Sequence, residues 1–319
     1  MKKRWATIGL GAFLLIDIIL VALALRPPSV PESGTPLAGT TTRTSAPPSG
    51  GATSSSKTTP ATTTTEATTT TKAGRPVPVQ RLIVGLDADT AWRATAGTCK
   101  GGGSSIEATT DGGKHWTEGK SPARAIARIQ PLQIGSGFIL AAGPDCSLRE
   151  WTTADNAATW TGPKVISGGW ARDLSQQSVV LTPGDPAAQP CGAQLVLDLS
   201  RTSAEQAETL CADGKVKVTN DGGSSWGDSG TASGAVALTN RVEGSVLSTY
   251  AARLNAACAG VQIVKVVQGR SATPVSCVQT TATPQPGQVG ISASARAGWL
   301  VVGDETWTSG PDLTQWQRA

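Results

Sequence analysis

The sequence predicts an all-β domain over residues 76–319, built as a β-propeller of about six blades, with five or seven also compatible with its length. Two compositional features favour this fold class. The 37 Gly, 20 Pro and 16% charged residues are typical of a turn-rich β protein. Ten Trp against two Phe and one Tyr indicate that Trp has a repeated structural role. The third observation is a short motif that ends in Trp and recurs along the chain.

The motif has the pattern S/T-x-D-x-G-x-x-W. Residues 109–116 and 219–226 match it in full, whereas residues 153–160 have Ala in place of Gly and residues 309–316 keep only Ser and Trp. The matching positions are Thr109, Asp111, Gly113, Trp116, Thr153, Asp155, Trp160, Thr219, Asp221, Gly223, Trp226, Ser309 and Trp316.

The motif Trp residues are spaced 44, 66 and 90 residues apart. The first interval is one propeller blade and the last is about two, because a blade takes ~40–45 residues. The middle interval implies an insertion, or two short blades of which one has lost its motif.

This motif resembles the repeat of the Asp-box (BNR-repeat) propellers, a group that includes sialidases, sortilin-type receptors and photosystem assembly factors. The resemblance covers about residues 76–319 and implies that each motif lies on a hairpin turn between two strands of a blade. There Asp accepts hydrogen bonds from turn N–H groups, Gly supplies a positive φ, and Trp packs into the stack of blades. We therefore expect structural roles for Asp111, Asp155 and Asp221.

Short apolar segments ahead of the motifs predict buried strands at one position of the repeat, over residues 90–95, 137–142 and 298–303. Further strands are predicted at 179–181, 195–197 and 261–267. Only three residues follow Trp316, so residues 76–82 are expected to supply the outer strand of the last blade and thereby close the ring.

The first 26 residues predict a basic cytoplasmic tail and a transmembrane signal anchor. Residues 6–25 are apolar and long enough to span a bilayer, despite Asp17, and follow three basic residues that keep the N-terminus in the cytoplasm. Cleavage after Ala24 is the alternative and would give a secreted protein. Residues 27–75 are rich in Thr, Ser and Pro and predict a disordered linker, because they lack the apolar residues needed to fold.

Charge excludes a nucleic-acid binder. Of 27 basic and 23 acidic residues, four basic and one acidic lie in residues 1–26, which leaves 23 against 22 and no basic cluster.

Six cysteines, all beyond the anchor, predict disulfides in an oxidising compartment. Fifteen pairings exist for six cysteines. Sequence spacing favours Cys191 with Cys211 and Cys258 with Cys277, which leaves Cys99 with Cys146.

No catalytic, cofactor or metal site is predicted. The sialidase resemblance would require a Tyr–Glu pair and an arginine triad, and the chain offers only Tyr250 near Glu243 and Arg253. Residues 128–131 match the sialidase Phe-Arg-Ile-Pro motif weakly and follow the first Asp-box motif rather than precede it. The single His, His115, lies in a turn motif, which argues against a Ser–His–Asp triad and a zinc site.

The leading functional hypothesis is a non-enzymatic scaffold, anchored in the cell membrane, whose extracellular propeller binds an envelope protein or complex. A glycan or cell-wall binding module is the first alternative. Its candidate stacking residues, outside the motif, are Trp151, Trp170 and Trp307. A sialidase-like hydrolase is the second alternative.

Overall fold

The computed structural model describes residues 75–166, 168–184 and 187–319. The predicted anchor at residues 6–25 and nearly all of the predicted linker lie outside these residues. Within the described ranges, no helix is long and apolar enough to cross a membrane.

Five four-stranded antiparallel sheets follow one another along the chain, each with its strands in sequence order. The first is β1 (Arg81–Gly85), β2 (Ala91–Thr95), β3 (Ser105–Thr109) and β4 (Thr117–Gly119). The second is β5 (Ala125–Gln133), β6 (Ser136–Ala142), β7 (Leu148–Thr153) and β8 (Thr161–Val165). A two-stranded sheet follows, with β9 (Ala171–Arg172) and β10 (Val180–Leu181).

The third blade is β11 (Val196–Arg201), β12 (Ala207–Cys211), β13 (Lys215–Thr219) and β14 (Gly227–Thr231). The fourth is β15 (Ala235–Glu243), β16 (Val246–Arg253), β17 (Val261–Lys265) and β18 (Thr273–Val278). The fifth is β19 (Val289–Ala293), β20 (Gly298–Val302), β21 (Glu305–Ser309) and β22 (Trp316–Arg318).

The first strands of the blades contact one another in a ring, in the order β1, β5, β9, β11, β15, β19 and back to β1. The described chain is therefore a five-bladed β-propeller, with the small β9–β10 sheet between the second and third blades. Five full blades is one fewer than the six favoured by length, because the described residues between 166 and 195 form the two short strands β9 and β10 instead of a blade.

The ring does not close in the predicted way. Residues 76–80 form no strand, and β22, although only three residues long, pairs with β21 and completes the last blade by itself. The prediction that residues 76–82 supply this outer strand is wrong. Val79 instead donates its backbone N–H to the Leu197 carbonyl, on the far side of the ring, at 2.8 Å.

The predicted strand positions agree with the structure. The segments at 90–95, 137–142 and 298–303 become β2, β6 and β20, the second strand of three blades, and all five residues of β20 are buried. All four sequence motifs lie between the third and fourth strands of a blade. The fourth blade has no motif, which explains the 90-residue interval, and the β9–β10 sheet explains the 66-residue interval.

Each motif Trp of the first three blades packs edge to face against a Trp of the preceding element. The ring centroids are 6.0 Å apart for Trp92 and Trp160, 6.1 Å for Trp116 and Trp299, and 5.9 Å for Trp170 and Trp226. Such perpendicular pairs are favourable because the edge of one ring meets the face of the other. The motif Trp residues thus join neighbouring blades.

Three disulfides are present, and they are the three favoured by sequence spacing. The Cα–Cα distances are 5.4 Å for Cys99–Cys146, 5.5 Å for Cys191–Cys211 and 5.7 Å for Cys258–Cys277. A domain with three disulfides is typical of proteins that fold in an oxidising environment outside the cytoplasm.

Candidate binding site in the central channel

The motif residues form local turn structure. In the motif of the third blade, Asp221 accepts the Ser225 backbone N–H at 2.9 Å and the Thr219 hydroxyl at 2.8 Å. Asp111 and Asp155 make the same contacts with His115 and Thr159. Hydrogen bonds from Ser225 and Thr159 lower the pKa of Asp221 and Asp155 to about 2. These carboxylates hold their own turns and do not line the centre of the ring.

The centre of the ring is a channel lined by all five first strands and by β9, with a volume of about 220 Å³. Along part of the channel wall, a side chain on the first strand of one blade accepts a hydrogen bond from a backbone N–H on the first strand of the next blade. Asp198 accepts from Leu238 at 2.8 Å, and Ser200 accepts from Asn240 at 2.9 Å.

The same arrangement continues around the ring. Thr239 accepts the Ala293 backbone N–H at 2.9 Å, and Ser292 accepts that of Gly85 at 3.1 Å. These contacts join β11 to β15, β15 to β19 and β19 to β1, and they satisfy N–H groups at sheet edges that water would otherwise have to reach.

Arginines line the remaining wall, between the second and third blades. Arg128 on β5 and Arg201 on β11 both donate to the side-chain oxygen of Gln130, at 2.9 and 2.7 Å. Arg172 on β9 donates to the Val79 carbonyl at 2.6 Å. Arg81 also lines the channel, and its guanidinium donates to Thr95 and Asp304.

One carboxylate, Asp198, lines the channel among the described residues. Burial raises its pKa to about 6, although the charge of Arg172 and two backbone N–H groups act in the opposite direction. Burial also lowers the pKa of Arg128 to about 9, and the neighbouring charge of Arg201 adds to this shift. The channel wall is therefore cationic and poorly solvated.

Two long hairpins rise beside the mouth of the channel. The first strands β5 and β15 have nine residues, against five or six in β1, β11 and β19. At about 3.3 Å per residue, they are roughly 10–13 Å longer. Their ends carry four exposed aliphatic side chains: Leu132 (61% exposed), Ile134 (68%), Val242 (44%) and Val246 (61%). We call these four residues the aliphatic rim.

The residues considered for a sialidase-like site have other contacts. Tyr250 is buried, and its hydroxyl accepts a hydrogen bond from Arg241 at 3.3 Å. Arg253 donates to Gln262 at 2.6 Å. His115 is exposed beside Asp111, with 2.6 Å between Nδ1 and Oδ2. Tyr250 and Arg253 both lie on β16, a second strand, and neither lines the channel.

The three Trp residues proposed for sugar stacking are largely covered. Trp170 is 2% exposed, and its ring N–H donates to the carbonyls of Ser203 and Ala204, at 3.0 Å each. Trp151 is 8% exposed and lines an outer groove, and Trp307 is half-buried. Trp170 therefore joins the β9–β10 sheet to the third blade.

Sequence reasoning did not single out the channel arginines. Arg128 and Gln130 were considered only as part of a weak motif match. The available signal was alternation, since two polar residues spaced two apart in the mostly apolar strand β5 place their side chains on the same side. Their convergence with Arg201 depends on the ring, which brings together strands separated by some 70 residues in sequence.

In the part of the chain that the structure describes, no group of three or more His, Cys, Asp or Glu residues is arranged to hold a metal ion. No protein-family model matches the chain. No curated protein sequence matches it either.

Several solved structures are similar in fold. YCF48 bound to D1 peptide is 16% identical, with a TM-score of 0.29, over 76% of this chain and 67% of that one. The fucose-specific lectin of Aleuria aurantia is 12% identical, with a TM-score of 0.48, over 76% and 96%. The GH74 enzyme of Niastella koreensis is 12% identical, with a TM-score of 0.40, over 74% and 46%. Likeness at this level assigns neither a ligand nor a reaction to the chain.

Proposed function

We propose that this protein is a non-enzymatic binding scaffold of the Asp-box type, anchored in the cell membrane by residues 6–25 and carrying its propeller outside the cell. The mouth of the central channel is its binding surface, and the partner is an envelope protein. The observation that carries this proposal is the aliphatic rim beside a cationic channel.

The chemistry of this surface suits a protein partner better than a sugar. Exposed aliphatic side chains gain free energy when they are covered by other apolar groups, whereas sugar rings are bound mainly by aromatic faces and hydrogen bonds. The rim offers four aliphatic residues, and the Trp residues of the described chain serve mainly in packing between and within blades. A partner with apolar side chains around an acidic group would complement both the rim and the channel.

The described channel residues also lack the paired carboxyl groups of a glycosidase. Such enzymes place two carboxyl groups on either side of the scissile bond, ~5–10 Å apart. Asp198 has no second carboxylate beside it among the described channel residues, and its oxygens accept the Leu199 and Leu238 N–H groups, both at 2.8 Å. This arrangement supports a binding role.

Photo-crosslinking in intact envelopes tests the proposal. The full-length protein would carry a photoreactive residue at Ile134 or Val246, or at Val165 as the control. Val165 is slightly more exposed than either rim position but ends the outer strand β8 of the second blade. We expect one discrete protein adduct from both rim positions and none from Val165. Equal adducts from all three positions, or no protein adduct from the rim, would contradict the proposal.

A glycan-binding function is the second candidate, and one observation favours it. Trp151 lies in an outer groove of about 350 Å³ that is also lined by Arg124, Asp145, Arg149 and Pro163. Charged groups around an aromatic edge suit a polar ligand. Retention of cell-wall polymer that depends on Arg149, and not on the aliphatic rim, would favour this alternative.

A further inference from the structure

The two guanidinium groups of Arg128 and Arg201 come from different blades and share one neutral acceptor. The Gln130 side-chain oxygen accepts from Nη2 of both arginines, at 2.9 and 2.7 Å. Arg128 also donates from Nη1 to the Trp170 carbonyl at 3.3 Å, and its guanidinium lies 5.1 Å from the centroid of the Phe138 ring. Arg128, Gln130 and Arg201 form what we call the channel arginine cluster.

No carboxylate lies within ion-pair distance of the cluster among the described residues. None of the ion pairs there includes Arg128 or Arg201. The carboxylate of Glu150 acts on Arg128 only at longer range, and Asp198 acts on Arg172. Buried N–H groups are almost always paired. Nε of Arg201 is nevertheless buried without a hydrogen-bond partner.

Two neighbouring cations in a poorly solvated site are unfavourable unless an anion joins them. Burial lowers the pKa of both arginines, and the charge of Arg201 lowers the pKa of Arg128 further. Elsewhere around the ring, neutral Ser and Thr side chains and Asp198 join the first strands, so the propeller fold does not itself require arginines here. A function that uses the positive charge would explain them.

We infer that the channel arginine cluster binds a carboxylate or phosphate group of a ligand that enters through the mouth of the channel. The planar forks of Arg128 and Arg201 suit the paired oxygens of either group, and the free Nε–H of Arg201 supplies a further donor. A channel of about 220 Å³ has room for an end group rather than for a folded domain. The inference rests on the proposed function, since it specifies the chemistry that the partner presents at the same surface.

Anion titration of the full-length protein in detergent tests this inference. The probes are inorganic phosphate and succinate, each titrated against chloride at constant ionic strength. The readouts are the ¹⁵N–¹H signal of Arg201 Nε, assigned by its loss in Arg201→Gln, and the thermal unfolding temperature. We expect saturable shifts of this signal and a rise in unfolding temperature with at least one probe.

The variants separate binding from folding. Arg128→Gln is expected to weaken anion binding at least tenfold, and Arg201→Gln to abolish the rise in unfolding temperature. Without anion, Arg201→Gln should be at least as stable as the wild type, because it removes a repelling charge. Arg318→Gln, at an exposed arginine on β22, is the matched control and should bind like the wild type.

The outcomes distinguish the ligand chemistry and the two proposals. Binding of phosphate alone indicates a phosphorylated ligand, and binding of succinate alone indicates a carboxylate. No saturable shift with either probe at tens of millimolar, or equal binding by all three variants, would overturn the inference. Rim crosslinks that persist in Arg201→Gln would leave the scaffold function standing without the anion site. Anion binding without any rim crosslink would support the anion site and contradict the scaffold function.

Discussion

Trp116 of the first blade lies edge to face against Trp299 of the last blade, with the ring planes inclined at 81°. The Trp299 ring N–H also donates to the Asp87 carbonyl at 2.7 Å, and the guanidinium of Arg93 lies 4.2 Å from the centroid of the Trp116 ring. Because no strand is exchanged between the two blades, side-chain packing and backbone contacts hold the first and last blades together.

Trp299→Ala is expected to open this closure. The side chain is fully buried, and removal of a buried Trp costs about 3–5 kcal/mol through lost contacts and the cavity left behind. Chemical denaturation of the oxidised protein measures the loss. Trp116→Ala, which removes the partly exposed ring of the pair, should cost less. An equal or smaller loss for Trp299→Ala would show that the closure does not depend on this ring.

Gly85→Ala tests the same junction from the opposite side. A Cβ on Gly85 would lie 2.1 Å from Cδ1 of Trp299, so the two blades would have to separate. Overpacking of this kind costs about 1–3 kcal/mol. Gly227→Ala is the matched control, since a Cβ there meets no atom within 4 Å. Equal denaturation midpoints for the two variants would show that the first and last blades do not approach this closely at Gly85.

The motif aspartates predict a loss of stability in acid. Their pKa values are lowered in the folded state, to about 2 for Asp155 and Asp221, from an ordinary value of 3.8. Their contribution is therefore complete above about pH 4 and is lost as the pH falls through about 2. Asp221→Asn should be less stable than the wild type at pH 7 and should lose less stability between pH 4 and 2.

Denaturant midpoints measured at several pH values check this prediction. Glu118→Gln, at an exposed position of β4, is the control and should follow the wild type. Parallel curves for Asp221→Asn and the wild type would mean that the motif carboxylate does not stabilise its turn through its charge.

The disulfides are expected to contribute unequally. Cys99–Cys146 closes a span of 47 residues, whereas Cys258–Cys277 closes one of 19. If the bonds act by restricting the unfolded chain, these loops correspond to about 4 and about 3 kcal/mol of stabilisation. The double variant Cys99→Ala/Cys146→Ala should therefore have a lower denaturation midpoint than Cys258→Ala/Cys277→Ala. The reverse order would show that packing around the bonds outweighs loop length.

The elements that depend on local sequence were predictable. Strands β2, β6 and β20 follow from short apolar segments, and the motif turns follow from Asp, Gly and Trp at fixed offsets. Blade number was harder to predict, because the sequence between residues 166 and 195 has too weak a pattern to show that its described part forms β9 and β10 rather than a full blade. The closure was missed because a three-residue strand such as β22 has no periodicity from which to recognise it.

The candidate site was the least predictable part. Arg128, Gln130 and Arg201 have no shared spacing, and their meeting depends on the order of strands around the ring. Trp170 was a candidate for stacking on sugars, but it is buried, and its ring N–H donates to the Ser203 carbonyl of the third blade. Residues defined by long-range geometry leave little trace in a single sequence.

The backbone contacts of Val79 limit what can enter the channel. Its N–H reaches Leu197 and its carbonyl receives Arg172, while the next residue, Gln80, donates to Gly287. The chain therefore crosses the end of the channel at which β1 begins, and the propeller is a cup rather than a tube. A polymer cannot be threaded through it. Any strand-like ligand must therefore enter from the mouth alone, by a terminus or by a projecting side chain.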